Sequence, residues 1–139
     1  MLHDLKQAKI LLENSADTCV LCKDEIVYRS DRRGVAPLME IWQSQRSVAG
    51  FSAADKVVGK ATALLYCLLQ VKAVYAHVMS EPALQVLTRH GVITQYKTLV
   101  PAIINRTGDG FCPMETATAK ITDPKDAPDA ILQALNALK

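Results

Sequence analysis

The sequence has 139 residues, of which 50% are hydrophobic and 22% are charged, a composition that is typical of a folded globular protein and excludes a disordered chain. Its length predicts one domain, over residues 1–139, that can bury a core of its own. Because the formal net charge is only +2 and the longest basic run is Arg32-Arg33, the sequence gives no sign of a nucleic-acid partner.

The first residues of the chain do not form the continuous apolar stretch of a signal peptide or a membrane span. Asp4, Lys6 and Lys9 interrupt the apolar residues there. We therefore expect a cytoplasmic protein without a membrane partner. Thiols stay reduced in that compartment, and a chain of this length does not need disulfides to fold. All four cysteines are expected to be free: Cys19, Cys22, Cys67 and Cys112.

Hydrophobic periodicity and turn residues predict helices and strands along the whole chain. An amphipathic helix comes first, and two short apolar runs joined by Asp24-Glu25 then form a hairpin. In chain order the predicted elements are a helix over residues 1–13, strands over 18–23 and 26–30, helices over 34–46 and 50–69, a strand over 73–79, a helix over 80–90, a strand over 92–100, and helices beginning near 113 and between 123 and 128. This order predicts a three-layer α/β/α domain in which helices cover both faces of a mixed sheet.

The predicted helix over residues 50–69 organises the rest of the chain. Its capping-box-like start pairs Ser52 with Asp55, and its later turns are apolar on nearly every face, which is typical of a buried helix. Asp55, Lys56 and Lys60 place three charges at this start, where a lysine opposes the helix dipole. Two interpretations stay open. Either Lys56, Lys60 and the free amides bind an anionic or polar ligand, or the lysines point to solvent and pair with acidic neighbours.

A second predicted helix start follows a polar loop over residues 105–110. Cys112 takes the cap position of this helix, with Pro113 in its first turn and Glu115 near its third position. A thiol at a helix N-terminus has its thiolate stabilised, and Arg106 lies close in sequence. Cys112 is therefore either a nucleophile or redox-sensitive group, or an ordinary half-buried capping residue.

Two other groups of residues have spacings that are found at binding sites. Cys19 and Cys22 have the spacing of a zinc knuckle, but residues three apart on a strand point to opposite faces. Arg29, Arg32 and Arg33 surround the exit of the hairpin, where they bind phosphate or form a solvated charged turn. Because no second cysteine pair is present and the histidines are scattered, the sequence predicts no metal site and no cofactor.

Three runs of the sequence carry a family resemblance: residues 50–60, residues 80–84, and residues 105–108 together with 112–115. These runs resemble the domain-of-unknown-function family 1893, and the resemblance covers essentially the whole chain. The order of helix, hairpin, helix, central helix, strand and helix resembles the cytidine-deaminase-like superfamily. The resemblance implies a cytidine-deaminase-like domain and leaves its activity open.

The resemblance also implies that the domain works without zinc. Zinc deaminases place a His or Cys, followed by a Glu, at the start of the central helix, and a Pro-Cys-x-x-Cys motif at the start of the next helix. The three matching ligand positions hold Ala53, Ala83 and Val86, whose side chains cannot bind zinc. Only the acid is kept, shortened to Asp55. Hydrolytic deamination by a zinc-bound hydroxide is therefore not expected.

The resemblance keeps a cleft between two helix starts, at Ser52 and Ser80, and we expect this cleft to hold a small polar or nucleotide-like molecule. The candidates for catalysis are Asp55, Lys56, Cys112 and Glu115. The candidates for ligand binding are Ser52, Lys60, Ser80, Glu81, Asn105, Arg106 and Thr107.

Three hypotheses about function stay open at this point. The first is a metal-independent enzyme in which Asp55 or Glu115 transfers a proton, Lys56 and Arg106 bind an anion or act as an electrophilic pair, and Cys112 acts as a nucleophile. The second is a sensor or regulatory module that binds a ligand in the same pocket without chemistry. The third is a structural or interaction subunit whose charges are solvated. Self-association into a homo-oligomer is compatible with all three.

Overall fold

The computed structural model describes residues 2–104 and 112–138 of the chain. Over these ranges, helices and strands alternate after an opening helix and a hairpin. In chain order the elements are α1 (Leu2–Glu13), β1 (Cys19–Lys23), β2 (Ile26–Ser30), α2 (Ala36–Gln43), β3 (Ser52–Val58), α3 (Lys60–Leu68), β4 (Ala73–Ser80), α4 (Glu81–Arg89), β5 (Ile93–Val100), α5 (Pro113–Thr118) and α6 (Ala127–Ala137). A 3-10 turn at Pro124–Asp126 precedes α6.

The strands of the described ranges form one five-stranded mixed sheet in the order β2-β1-β3-β4-β5. β1 is antiparallel to both of its neighbours, and β3, β4 and β5 are parallel to one another. The register places Cys19 of β1 opposite Asp55 of β3, and Asp55 in turn pairs with Ala76 of β4. The predicted α/β fold with a mixed sheet is therefore confirmed.

Helices cover both faces of the sheet, but unequally. One face is covered by α1, whose Leu5 and Leu12 pack against Val20 of β1 and against small side chains of β3 and β4. On the other face α2 to α6 form the larger core, in which Leu64 and Leu65 of α3 are fully buried. Alternation along each strand sends neighbouring side chains into these two separate cores.

The local signals around α4 act as the sequence predicts. The Ser80 hydroxyl accepts a hydrogen bond from the Ala83 amide (3.2 Å) and so caps the helix. At the other end, Gly91 adopts a left-handed conformation (φ +74°), which lets the Val92 amide donate to the Leu87 carbonyl (2.9 Å). These two caps limit α4 to nine residues.

The prediction of one helix over residues 50–69 is wrong for its first half. Residues Ser52–Val58 form β3, and the helix begins only at Lys60, after Gly59 in an extended conformation. β3 is the central strand of the sheet, and small side chains such as Ala53 fit where helices press on both of its faces. Pairing with β1 and β4 therefore overrides the helix preference of the alanines in this segment.

The helices are short. The first and longest of them in the described ranges, α1, has 12 residues, whereas a helix that spans a bilayer needs about 20. Within residues 2–104 and 112–138, no helix combines the length and the apolar composition that a membrane crossing requires.

Candidate functional site

The strand β3 separates the charges that were predicted at one helix start. Asp55 and Lys56 are neighbours on this strand, so their side chains point to opposite faces of the sheet. Asp55 is buried and Lys56 is half-buried. Ser52 is fully buried at the beginning of β3, and its hydroxyl has no hydrogen-bond partner among the described residues. These three residues do not come together in one pocket.

The predicted cleft between helix starts at Ser52 and Ser80 is not formed. Ser52 begins β3 and pairs with Ala73, the first residue of the parallel strand β4. Ser80 ends β4, so the two serines lie at opposite ends of the sheet. Ser80 is buried as the cap of α4, and Glu81 is exposed in the first turn of that helix, where a negative charge favours the dipole.

Asn105, Arg106 and Thr107 lie outside the described residues, so their part in ligand binding stays a prediction. The chain on either side of this segment is held together, because the Cys112 amide donates to the Ile103 carbonyl (3.1 Å).

Three of the predicted site residues do meet, at the start of α3: Lys60, Cys112 and Glu115. The Glu115 carboxylate accepts hydrogen bonds from the amides of Lys60 (2.8 Å) and Ala61 (3.1 Å), which are free donors of the first helical turn. The Lys60 ammonium donates to the Ala119 carbonyl just after α5 (2.8 Å). These contacts hold both ends of α5 against the start of α3.

A small cavity of about 70 Å³ lies beside this contact, where α2, α3 and α5 begin. Gly34, Gly59 and Cys112 contribute to its walls. A Cβ atom at Gly59 would lie 2.5 Å from Oε1 of Glu115, so a glycine is needed for the carboxylate to reach the amides. The start of α3 therefore binds an anion, as the sequence predicts, but this anion is the protein's own Glu115 carboxylate. The remaining cavity of about 70 Å³ is too small for a nucleotide-like ligand.

A buried group of three polar side chains, Cys19, Asp55 and Tyr66, lies between the sheet and α3; we call it the Asp55 cluster. The Tyr66 hydroxyl donates to Oδ2 of Asp55 (2.7 Å) and lies 3.3 Å from the Cys19 sulfur. The Val57 amide donates to Oδ1 of Asp55 (3.3 Å). Only 7% of Asp55 is exposed, and Tyr66 is fully buried.

Burial determines the electrostatics of the Asp55 cluster. It raises the pKa of Asp55 from 3.8 to about 7, although hydrogen bonds from Tyr66 and from backbone amides lower it. Burial also raises the pKa of the Cys19 thiol and the pKa of the Tyr66 phenol, and the charge of Asp55 raises both further. Asp55 therefore exchanges a proton near neutral pH, while the other two groups remain protonated.

A cleft of about 320 Å³ between the hairpin and α2, which we call the hairpin–α2 cleft, borders the Asp55 cluster. Two cross-strand pairs of the hairpin form its floor. One pair is Cys19 with Ser30, and the other is Leu21 with Tyr28. Residues of one face of α2 form a wall, and two arginines complete the lining: Pro37, Glu40, Ile41 and Ser44, with Arg29 and Arg46. Cys19 belongs to both the cluster and the cleft.

Arg46 and Tyr28 are the polar groups of the cleft that are best placed to meet a ligand. Nη1 of Arg46 donates to the Tyr28 hydroxyl (3.0 Å), and the guanidinium lies 5.3 Å from the centroid of the Tyr28 ring. Arg46 forms no ion pair within residues 2–104 and 112–138. An anion that enters the cleft would therefore meet an arginine that is oriented by an aromatic ring and not neutralised by an acid.

The arginines that the sequence singled out at the hairpin exit are engaged differently. Arg29 pairs with Asp17 (2.5 Å), and Arg32 pairs with Glu40. Arg33 is exposed. Two of these three residues thus form exposed or half-exposed ion pairs, as expected for a solvated charged turn.

The sequence reasoning missed the partners of Asp55. The sequence predicts Cys19 as a free cysteine at zinc-knuckle spacing, and Tyr66 only as part of the buried helix over residues 50–69. A signal was present, because a tyrosine on a buried helix needs a partner for its hydroxyl, and an acid in a buried segment needs a donor. A buried tyrosine hydroxyl and a buried carboxyl group can satisfy each other, which would have predicted the hydrogen bond between Tyr66 and Asp55. Nothing in the sequence brings Tyr28 and Arg46 together before the fold is known.

Comparisons with known proteins agree with this fold. The family model TM1506, a domain of unknown function (DUF1893), matches residues 7–135. No curated protein matches the chain. Among solved structures, the chain is similar to a DUF1893 family protein (TM1506) from Thermotoga maritima at 23% identity and a TM-score of 0.87, over 96% of this chain and 90% of that one. The chain belongs to the DUF1893 family.

Proposed function

We propose that the protein binds a small anionic, nucleotide-like molecule in the hairpin–α2 cleft. The volume of about 320 Å³ is at the lower end of the range of small-molecule sites, about 300 to 1,000 Å³. Leu21, Pro37 and Ile41 give the cleft apolar walls, and Arg46 gives it a charged donor. The observation that carries the proposal is that Cys19 lines this cleft and also belongs to the buried, titratable Asp55 cluster.

The Asp55 cluster suits acid–base chemistry on a molecule in the cleft. When Asp55 is ionised, the Tyr66 hydroxyl donates to its carboxylate, and the Cys19 thiol can donate to the Tyr66 oxygen. This chain of donors runs from the floor of the cleft to a carboxyl group whose pKa is about 7. A group that titrates near the working pH is the most effective general base. Asp55 would receive the proton through the chain, and the same chain reversed would return it.

The kinship with the cytidine-deaminase-like superfamily and the independence from zinc are parts of the same proposal. The helix, the hairpin and the second helix come in the order that carries the resemblance, but β3 lies between the second helix and α3. The starts of α2 and α3, which meet at the 70 Å³ cavity, support the kinship. Gly34, Val35, Gly59 and Ala61 line these two starts without a zinc-binding side chain. Cys112 and Glu115, which also line the cavity, are fewer than the three protein ligands of a catalytic zinc site, and no group of three such side chains occurs among the described residues.

The predicted matches at Ala53 and Asp55 are wrong, because both residues lie on β3 and not at a helix start. The predicted matches at Ala83 and Val86 belong to α4, which does not line the cavity.

Thermal-shift measurements with nucleosides, nucleotides and sugar phosphates test the binding proposal. A ligand at 100 times its Kd should stabilise the protein by about 2.7 kcal/mol and raise Tm by several degrees. Arg46→Ala should weaken the binding of an anionic hit by about ten-fold or more, because it removes a charge-assisted hydrogen bond. Arg33→Ala, which removes an equal charge from an exposed position, is the control and should leave the shift unchanged. A full shift in Arg46→Ala would remove the cleft from the proposal.

The alternative is a module that binds its ligand without transforming it. Asp55→Asn separates the two, because it keeps the shape of the cluster and removes the titrating carboxyl. An enzyme should keep its thermal shift and lose its turnover of the hit compound in this variant, whereas a sensor shows no turnover in either protein. The predicted role of Cys112 as a nucleophile is tested in parallel by its rate of alkylation with iodoacetamide at neutral pH.

A further inference from the structure

A third cavity, of about 180 Å³, lies between the start of α3, one side of α4 and residues 121–122. We call it the basic groove. Its polar lining comes from Lys60, Gln85, Arg89, His90 and Thr122, and none of the described residues that line it is acidic. It shares no lining residue with the hairpin–α2 cleft.

The cations of the basic groove, Lys60 and Arg89, form no ion pair with any residue that the structure describes. Asp123 is the next residue along the chain from Thr122, but its carboxylate caps the following turn by accepting from the Lys125 amide (3.0 Å). The groove therefore concentrates positive charge in a concave site.

The helix dipole favours the position of only one of these two cations. Arg89 lies in the last turn of α4, where a positive charge is favoured. Lys60 is the first residue of α3, where a positive charge is disfavoured. One of the three N–H donors of Lys60 is used by the Ala119 carbonyl (2.8 Å), which holds the ammonium in place and leaves two donors free of that bond.

The α4 side of the groove is equally suited to an oxyanion. Gln85 and Arg89 are four residues apart and so lie one above the other on the helix. The guanidinium of Arg89 can donate two parallel hydrogen bonds to an oxyanion. Nδ1 of His90 lies 3.0 Å from the Val86 carbonyl, which orients the ring at the end of the helix.

We infer that the basic groove binds the phosphate group of a small molecule, with Arg89 as a bidentate donor and Lys60 as a point charge. Its 180 Å³ accommodates a phosphate and the few atoms next to it, so the rest of the ligand extends into solvent. The inference does not depend on the proposed function of the hairpin–α2 cleft, because the two sites have no residue in common.

Amide ¹H–¹⁵N spectra of the full chain, titrated with inorganic phosphate at low ionic strength, test the inference. The largest shifts are expected at the backbone amides of Lys60, Arg89 and Thr122. Arg89→Ala should raise the Kd for phosphate about ten-fold or more, and the dispersion of its spectrum shows whether it is folded. Arg33→Ala, which removes the same charge from an exposed position outside both sites, is the matched control and should change the Kd by less than about two-fold.

A parallel titration with glycerol phosphate distinguishes the two sources of the group. If glycerol phosphate binds more tightly than inorganic phosphate, the natural ligand is an organic phosphate monoester. If the two bind equally, the ligand is the free phosphate ion. Shifts spread over all lysines and arginines, or an unchanged Kd in Arg89→Ala, would overturn the inference. Shifts confined to the hairpin–α2 cleft would overturn it as well and would instead support the proposed function.

Discussion

Replacing Glu115 by alanine is expected to lower the free energy of unfolding by about 2 to 4 kcal/mol. The change leaves the amides of Lys60 and Ala61 without their charged acceptor, and hydrogen bonds to charged groups contribute about 1.5 to 3 kcal/mol each before water replaces part of the loss. Chemical denaturation, followed by circular dichroism, measures the effect. Glu81→Ala, in the exposed first turn of α4, is the control and should cost less than about 1 kcal/mol.

A double-mutant cycle with Gly59 shows whether the stabilisation comes from this contact. Gly59→Ala should cost about 2 kcal/mol in the wild-type background, because its Cβ displaces a carboxylate that would lie 2.5 Å away. In the Glu115→Ala background the same change should cost almost nothing, since the backbone at Gly59 (φ −96°) is open to alanine. Additive effects of the two changes would show that the carboxylate does not hold the helix start.

Asp55→Asn is expected to flatten the dependence of stability on pH. In the wild type the pKa of Asp55 is about 7 when folded, against 3.8 as its ordinary value, so between these values the folded state binds the extra proton. The contribution of this carboxyl group to the free energy of unfolding is complete below about pH 4, falls as the pH rises through the folded pKa, and is lost above about pH 7. From pH 5 to pH 8 the loss amounts to about 2 to 3 kcal/mol. The variant, which has no proton to lose, should not show it.

Urea denaturation at several pH values between 5 and 8 measures this difference. The other titrating groups are common to both proteins and cancel when the variant is compared with the wild type. Asp31→Asn, at an exposed position, is the matched control and should follow the wild-type curve. If Asp55→Asn also follows that curve, the carboxyl is ionised throughout and cannot serve as a general base near neutral pH.

Much of the fold follows from local signals. The cap at Ser80, the left-handed Gly91 and the turn at Asp24-Glu25 each mark a boundary that the structure keeps within about two residues. Such signals depend on the chemistry of a few adjacent residues, so they can be recognised without tertiary information. The mixed sheet with helices on both faces follows from the order of the elements that these signals define.

The segment over residues 52–58 could not be assigned in this way. Its alanines favour a helix, and Val57 and Val58 fit the three- and four-residue spacing of the true helix that follows. What makes it a strand is its place between β1 and β4, where both faces are covered and only small side chains fit. The helical spacing of the apolar residues is continuous across Gly59, although a glycine in the middle of a predicted helix is itself a sign of a boundary.

The candidate site was predicted in its parts and not in its arrangement. Lys60, Cys112 and Glu115 are predicted site residues that do come together, but the anion at the backbone amides of the helix start is the carboxylate of Glu115, and the Lys60 ammonium binds the Ala119 carbonyl. Asp55 was singled out as an acid at a helix start and is instead an acid in a buried strand. Residues 55 positions apart in the chain meet only through the packing of α5 on α3, which no local pattern encodes.

The cover that α1 provides for one face of the sheet has a consequence for how the chain is made. Leu5 and Leu12 pack against β1, β3 and β4, and β4 ends at Ser80. The ribosome must therefore add nearly seventy residues after α1 before every strand that covers its apolar stripe has been made. At about 5 to 20 residues per second this takes roughly 3 to 14 seconds. A nascent chain of this protein therefore exposes part of the apolar stripe of α1 for some of that interval, which makes α1 a segment that a chaperone can bind.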